Sequence, residues 1–183
     1  MKGIRPSNDD APRNQLYLSR DDWSPRFDSS FFTVEIESYE KLSYPPPAEH
    51  DQASVIQCKT SHPAYYYQIS VFCEHEKWIV PRRYSQFQWM RNQLCKTKGT
   101  PTNGNNSTTR TRNHGNAVAT ENPPLPTGTC FFEVQNASFA QRRQQQLNDF
   151  LDDILTQPGN SFHGAVVTFL ELDRHNQRQQ GES

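Results

Sequence analysis

The sequence predicts an α+β fold in which a three-stranded antiparallel sheet packs against a helical subdomain of about three helices. Apolar residues alternate with a period of two in the first half of the chain, which is typical of strands. In the second half they recur at helical spacing, and a Pro-rich turn at Pro123 to Pro126 separates the first helix from the others. Strands that are followed by helices in this order indicate an α+β domain.

The three strands are predicted from alternating residues and from the turns between them. Phe31 to Glu37 gives the first strand, Tyr65 to Glu74 the second, and Trp78 to Val80 the third. The short polar turn Glu74-His75-Glu76 predicts a hairpin between the last two strands.

Two capping boxes mark the starts of the first two helices, because Ser85 and Ser138 each precede a glutamine by three residues. The second helix is expected to stop at Pro158, and a last helix to run from about Phe162 to Leu172. The apolar stripes are Phe87, Met90 and Leu94 in the first helix, Leu147, Phe150, Leu151, Ile154 and Leu155 in the second, and Phe162, Val166, Phe169 and Leu170 in the last.

Arg143 lies on the inward stripe of the second helix, one turn before Leu147. Arg142 is about 140° away from Leu147 around the helix axis and therefore faces outward. An arginine among buried residues needs a partner, because an unpaired buried charge is very costly. A structural salt bridge and a phosphate or polyol ligand both meet this need, and both stay open.

Polar segments flank and interrupt the predicted domain, which spans residues 27–172. Residues 1–26 are expected to form a disordered leader, residues 98–122 a flexible insertion rich in Thr, Asn and Gly, and residues 173–183 a polar tail. Hydrophobic residues make up 33% of the chain and the mean hydropathy is -0.93, so part of the chain is expected to lie outside the core.

The net charge of -1 conceals an uneven distribution of charge along the chain. The charges sum to -5 over residues 1–76, to +8 over residues 77–143 and to -4 over residues 144–183. A basic middle third indicates an anionic partner, which on charge alone can be nucleic acid, anionic lipid or an acidic protein. Nucleic acid ranks last, because the aromatic residues are not spaced like a stacking platform.

No enzyme signature is found in the sequence. The four cysteines and six histidines lack metal-ligand spacing, and there is no nucleophile–base pair or glycine-rich phosphate loop. We therefore expect no enzyme activity, no metal and no cofactor. No apolar run approaches a membrane span and the N-terminus lacks a signal-peptide pattern, so a soluble intracellular protein is expected.

Arg82, Arg83 and Tyr84 lie directly before the start of the first predicted helix. Backbone N–H groups and the positive end of the helix dipole favour an anion at that point. An arginine there offers a bidentate fork to a phosphate, and Tyr84 offers a flat apolar face. A surface arginine pair beside a core tyrosine is the alternative interpretation.

The order of these motifs resembles the phox-homology (PX) domain, a phosphoinositide-binding module of sorting nexins and related trafficking proteins. The motifs are Arg82-Arg83-Tyr84-Ser85-Gln86-Phe87 after a Trp-containing strand, the Pro-rich turn, and Arg143-x-x-x-Leu147-x-x-Phe150-Leu151. The resemblance covers about Phe31 to Leu172. It implies a cytoplasmic, peripheral membrane protein that reads phosphatidylinositol 3-phosphate on the cytosolic face of endosomes, with other trafficking proteins as further partners.

The resemblance also implies a role for each residue of the motif. Arg83 matches the arginine that holds the 3-phosphate, and Tyr84 matches the aromatic residue that packs on the inositol ring. Arg143 matches the arginine that takes ring hydroxyls or the next phosphate. Arg82 matches the outer arginine of the pair, which is usually structural or secondary.

The segment after the Pro-rich turn departs from the family pattern. The family often has a lysine there for the 1-phosphate, whereas this chain has Thr127-Gly128-Thr129. A lost charge-assisted contact costs about 1.5–3 kcal/mol, so we expect weak headgroup binding unless nearby basic residues substitute. The candidates are Lys96, Lys98, Arg110 and Arg112.

Phe131 and Phe132 lie where the family has its membrane-insertion loop. Exposed aromatic residues beside a basic surface suit insertion at a membrane interface, and packing of at least one of them in the core is the alternative. The alternative for the whole chain is a protein–protein interaction module on the same fold, with structural arginines and weak or no lipid binding.

Overall fold

A computed structural model describes residues 15–46, 62–98, 122–126 and 137–173 of the 183-residue chain. The strands are β1 (Leu16–Tyr17), β2 (Phe31–Leu42), β3 (Ala64–Cys73) and β4 (Glu76–Arg83), and the helices are α1 (Tyr84–Lys98), α2 (Ala137–Leu155) and α3 (Gly164–Leu170). The strands form one sheet in the order β1-β2-β3-β4, so the predicted α+β class is confirmed.

The sheet has four strands within the described ranges, one more than the sequence predicts. The extra strand, β1, pairs parallel with the start of β2 through Leu16 and Phe31. Two residues are too few to show alternation, which is why no pattern indicates this strand. β1 lies inside the predicted disordered leader, so residues 15–26 are a correction to that prediction, and residues 1–14 lie outside the described residues.

The N-terminal segment that carries β1 is fixed to the sheet and to α2. The Tyr17 hydroxyl donates a hydrogen bond of 2.7 Å to the Asp152 carboxylate in α2. Arg20 lies 4.2 Å from the centre of the Phe72 ring, and its guanidinium pairs with Glu35 at 3.3 Å. These contacts hold the segment against the domain although its composition is polar.

One face of the sheet and all three helices enclose the hydrophobic core. The predicted stripe of α1 is fully buried, as is most of the stripe of α3, and the Phe87 and Phe169 rings of these helices lie 4.9 Å apart. The buried stripe of α2 includes every residue expected from its spacing. The main strand contributions to the core are Phe32, Val34, Ile36, Ile69, Val71 and Val80.

α2 is hydrogen-bonded to β2 beside a bulge. The register between β2 and β3 shifts between Ile36 and Ser38, so Glu37 has no partner in β3. Asn148 of α2 accepts a hydrogen bond of 2.8 Å from the Ile36 N–H, and Gln144 donates one of 2.7 Å to the Ile36 carbonyl. At the start of α2, the Tyr39 hydroxyl donates to the Ala137 carbonyl at 3.1 Å.

The helix boundaries differ from the predicted ones by one to three residues, and α2 ends at Leu155 rather than Pro158. α1 begins at Tyr84, because Gln86 caps it by accepting a hydrogen bond of 2.8 Å from the Arg83 N–H. The predicted cap, Ser85, has a buried hydroxyl with no hydrogen-bond partner in the part of the chain that the structure describes. α3 begins after Phe162, which is partly exposed, and ends at Glu171 in a left-handed conformation with φ 58°.

The cap at the start of α3 is expected to make folding stability depend on pH. The ring of His163 accepts a hydrogen bond of 3.1 Å from the Ala165 N–H, and burial lowers the pKa of His163 below 6.5. A neutral ring is needed for this bond, so its contribution is present above the unfolded pKa and is lost as the pH falls through the folded value. We expect the wild type to lose about 0.5–2 kcal/mol of stability relative to His163→Asn between about pH 7.5 and about pH 5.

Thermal unfolding of both proteins at several pH values measures this difference. Asparagine also caps a helix but does not titrate in this range, so it is the matched control. Parallel curves for the two proteins would contradict the prediction, because His163 would then contribute no pH dependence.

Candidate functional site

The candidate site is built where β4 passes directly into α1. Arg83 is the last residue of β4, paired with Tyr66 of β3, and Tyr84 is the first residue of α1. In the described ranges, the Arg83 side chain makes no ion pair and no hydrogen bond, and it is half-buried. An arginine thus directly precedes the start of a helix, where an anion is favoured.

Arg143 reaches the same point from α2. Its side chain is only 5% exposed, which confirms that it lies on the inward stripe. The guanidinium carbon lies 4.4 Å from the centre of the Tyr84 ring and 4.7 Å from the centre of the Phe139 ring. The structure therefore brings together two of the predicted site residues, Tyr84 and Arg143, and adds Phe139, which the sequence arguments did not single out. We call Tyr84, Phe139 and Arg143 the Arg143 cluster.

Tyr67 of β3 lies close enough to Arg143 for the positive charge of that side chain to lower its pKa. Burial raises the pKa of Tyr67 to about 12, and the positive charge of Arg143 opposes part of that rise. Tyr67 is fully buried and its ring packs edge-on against Phe87 at 6.3 Å. A buried residue of the sheet thus lies within electrostatic reach of Arg143.

The Pro-rich turn is fastened to α1 at two points. The Tyr84 hydroxyl donates a hydrogen bond of 2.5 Å to the Pro126 carbonyl, and Arg91 Nε donates one of 2.9 Å to the Pro123 carbonyl. Leu125 packs against the hydrophobic core between them. Both carbonyls and the leucine therefore make contacts within the domain, which indicates a structural turn.

Arg82 is placed away from the Arg143 cluster, on the opposite face of β4 from Arg83. Its side chain is 1% exposed, and Nη2 donates to the Glu171 carboxylate at 2.8 Å. Nε donates to the Phe169 carbonyl at 2.8 Å. Burial lowers the pKa of Arg82, and the bond to Glu171 opposes that shift. These contacts give Arg82 a structural role.

The remaining predicted residues are only partly described. Lys96 is exposed near the end of α1, twelve residues from Tyr84, which is about 18 Å along the helix axis. The structure therefore does not place the Lys96 backbone close to the start of α1. The Lys98 side chain and all of Arg110, Arg112, Phe131 and Phe132 lie outside the described residues.

The position of Phe139 could have been predicted from its spacing to Arg143. It lies four residues before Arg143 in the sequence, and residues four apart on a helix share a face. An aromatic ring at that position is placed to cover an inward arginine.

The described ranges contain no group of three or more His, Cys, Asp and Glu side chains that could hold a metal ion. Among the helices that the structure describes, none has the length and apolar character needed to cross a bilayer.

A comparison with protein families identifies one that this chain matches. A family model described as the PX domain matches residues 70–173, more than half of the chain. The structure is similar to the X-ray structure of a designed CISK-PX domain, with 22% sequence identity and a TM-score of 0.49 over 74% of this chain and 95% of that chain. No curated protein sequence matches the chain.

Proposed function

This chain belongs to the PX domain family, whose members are phosphoinositide-binding modules that target membranes, and we propose that its ligand is phosphatidylinositol 3-phosphate. The single observation that carries the proposal is the contact between Arg143 and the ring of Tyr84 at the start of α1, directly after Arg83 in the chain. A cation and an aromatic ring thus meet at a helix N-terminus, and a second arginine directly precedes that helix in the chain.

Each of the three residues has a distinct task in the proposed complex. Arg83 faces the 3-phosphate with a planar fork of N–H donors, which suits a phosphate better than a lysine does. Tyr84 supplies an apolar ring face for the inositol ring. Arg143 donates to the ring hydroxyls from the inward face of α2. Arg82 supports the site from the core and does not touch the headgroup.

The proposal also includes a contact with the membrane. We place Phe131 and Phe132 at the bilayer interface, since they follow the Pro-rich turn that Tyr84 and Arg91 fasten beside the site. Lys96, Lys98, Arg110 and Arg112 add long-range attraction to anionic lipid, which is screened within about 10 Å at ordinary salt. Recruitment to the cytosolic face of endosomes, as part of membrane trafficking, completes the proposal.

The test is co-sedimentation of the full chain with liposomes at physiological salt. Liposomes that contain phosphatidylinositol 3-phosphate are compared with liposomes that contain its bisphosphates or phosphatidylserine at matched charge. Selective binding to the 3-phosphate supports the proposal. Equal binding to all anionic liposomes would contradict it and leave only attraction by the basic residues.

A protein–protein interaction module is the second candidate function. The observation that favours it is the absence of a basic residue in Thr127-Gly128-Thr129, where the family often has its lysine for the 1-phosphate. Failure to bind any of these liposomes would bring this candidate forward.

Tyr84 carries two separable features, its ring and its hydroxyl. Tyr84→Phe removes only the hydrogen bond to the Pro126 carbonyl, so we expect lipid affinity to stay within about threefold of wild type and stability to fall by about 0.5–1.5 kcal/mol. Tyr84→Leu also removes the ring over which Arg143 lies, so affinity is expected to fall about tenfold. Equal affinity loss in the two variants, measured on the same liposomes, would show that the hydroxyl and not the ring matters.

A further inference from the structure

Phe139 contacts Arg143 and is not part of the hydrophobic core. It is half-buried, yet it belongs neither to the buried core nor to the partly buried apolar side chains that pack against that core in the described ranges. Its recorded ring contact is with the guanidinium of Arg143, at 4.7 Å. The ring therefore covers a charged side chain rather than filling apolar space.

We propose that Phe139 is a positioning residue, which holds the Arg143 guanidinium in the orientation that the headgroup needs. This inference rests on the proposed function, because it concerns the same site. Phe139 lies one helical turn before Arg143 on α2, so the two side chains share one face of the helix. Tyr84 contacts the same guanidinium from α1 at 4.4 Å. The guanidinium thus contacts aromatic rings on two separate helices.

The geometry of a guanidinium explains how this contact serves binding. Arginine stacks on aromatic rings through its flat faces, while its N–H donors lie in the plane of the group and point outward from its edges. A ring over the face can therefore fix the group without occupying the direction in which it donates to ligand hydroxyls. An arginine side chain is long and flexible, and fixing it before the ligand arrives removes part of the entropy cost of binding.

The expected size of the effect follows from the ring contact. An arginine over an aromatic ring is stabilised more strongly when it is desolvated, and Arg143 is almost fully buried. Loss of the Phe139 ring is thus expected to weaken binding to phosphatidylinositol 3-phosphate vesicles by about three- to thirtyfold. The loss has to vanish when Arg143 itself is absent, because Phe139 acts only through that side chain.

The experiment uses the full chain and four variants: Phe139→Leu, Phe139→Tyr, Arg143→Ala, and Phe139→Leu combined with Arg143→Ala. Affinity is measured on phosphatidylcholine vesicles with and without phosphatidylinositol 3-phosphate, and thermal unfolding is recorded for each protein. We expect Phe139→Leu to lose affinity and Phe139→Tyr to retain it. The double variant is expected to bind no more weakly than Arg143→Ala alone.

A second readout needs no lipid. The Nε–H resonance of Arg143, identified by its loss in Arg143→Ala, is expected to be shifted by the ring currents in the wild type and in Phe139→Tyr. In Phe139→Leu it should move toward the usual arginine position. A role for Phe139 in folding alone would lower the unfolding temperature without this pattern.

The outcomes separate the two claims. If the wild type fails to bind the vesicles, the proposed function fails and this inference fails with it. If the wild type binds and Phe139→Leu binds equally well, the inference alone is overturned. Additive losses in the double variant would also overturn it, because Phe139 would then act independently of Arg143.

Discussion

Replacing Arg83 by alanine is expected to weaken binding to phosphatidylinositol 3-phosphate liposomes by about ten- to a hundredfold. A charge-assisted hydrogen bond contributes about 1.5–3 kcal/mol, and each 1.4 kcal/mol corresponds to a tenfold change in affinity. Stability should change little, because the Arg83 side chain makes no ion pair or hydrogen bond in the part of the chain described by the structure. Co-sedimentation measures the affinity, and thermal unfolding checks the stability.

Arg142→Ala is the matched control for this variant. Arg142 is exposed on α2, next to Arg143 in the sequence but on the outward face of the helix, and its replacement removes the same charge. We expect it to weaken binding far less than Arg83→Ala. Equal losses in the two variants would contradict a specific phosphate contact and indicate that only net charge matters. Arg83→Lys should lie between alanine and wild type, because lysine keeps the charge but not the fork.

Replacing Glu171 by alanine is expected to destabilise the domain by about 3–5 kcal/mol. The variant leaves the Arg82 guanidinium buried at 1% exposure without the carboxylate that it contacts at 2.8 Å. Breaking one partner of a buried pair costs this much because the remaining charge is neither hydrated nor compensated. Urea unfolding measures the loss as a shift of the midpoint at unchanged slope.

The exposed pair Lys77 and Glu37 provides the control for the buried pair. Its two side chains are 43% and 35% exposed and meet at 2.6 Å, so Glu37→Ala is expected to cost no more than about 1 kcal/mol. Replacing both buried partners, as Arg82→Leu with Glu171→Met, should destabilise less than Glu171→Ala alone, because no charge is then left buried. A larger loss in the double variant would show that the hydrogen bonds from Arg82 to backbone carbonyls dominate instead.

The two arginines of the motif show how a strand separates roles that are adjacent in sequence. Successive side chains in β4 point to opposite faces, so Arg82 enters the core while Arg83 stays at the junction with α1. Glu171, which pairs with Arg82, lies 89 residues further along the chain. Charge counts along the sequence cannot predict that pairing, because it depends on how α3 packs against β4.

The sequence by itself determined most of the strands and helices, and it determined that Arg143 faces inward. Apolar alternation marked β2 to β4, and helical spacing marked the inward faces of α1 and α2, including Arg143. These signals are local, since strand and helix periods are fixed by backbone geometry. They did not predict β1, because its two residues show no pattern of their own. β1 forms by pairing with Phe31 and Phe32 of β2.

Only the tertiary structure decided which side chains meet. The contact of Tyr84 and Phe139 with one guanidinium joins residues 55 positions apart. Hydrogen bonds of Asn148 and Gln144 with the Ile36 backbone hold α2 against the sheet. The cap of α1 also depends on where β4 ends. Gln86, and not the predicted Ser85, caps the helix by accepting a hydrogen bond from the Arg83 N–H. Local sequence specifies which face of an element is apolar, but the angle and depth at which elements pack decide which polar groups converge on a ligand.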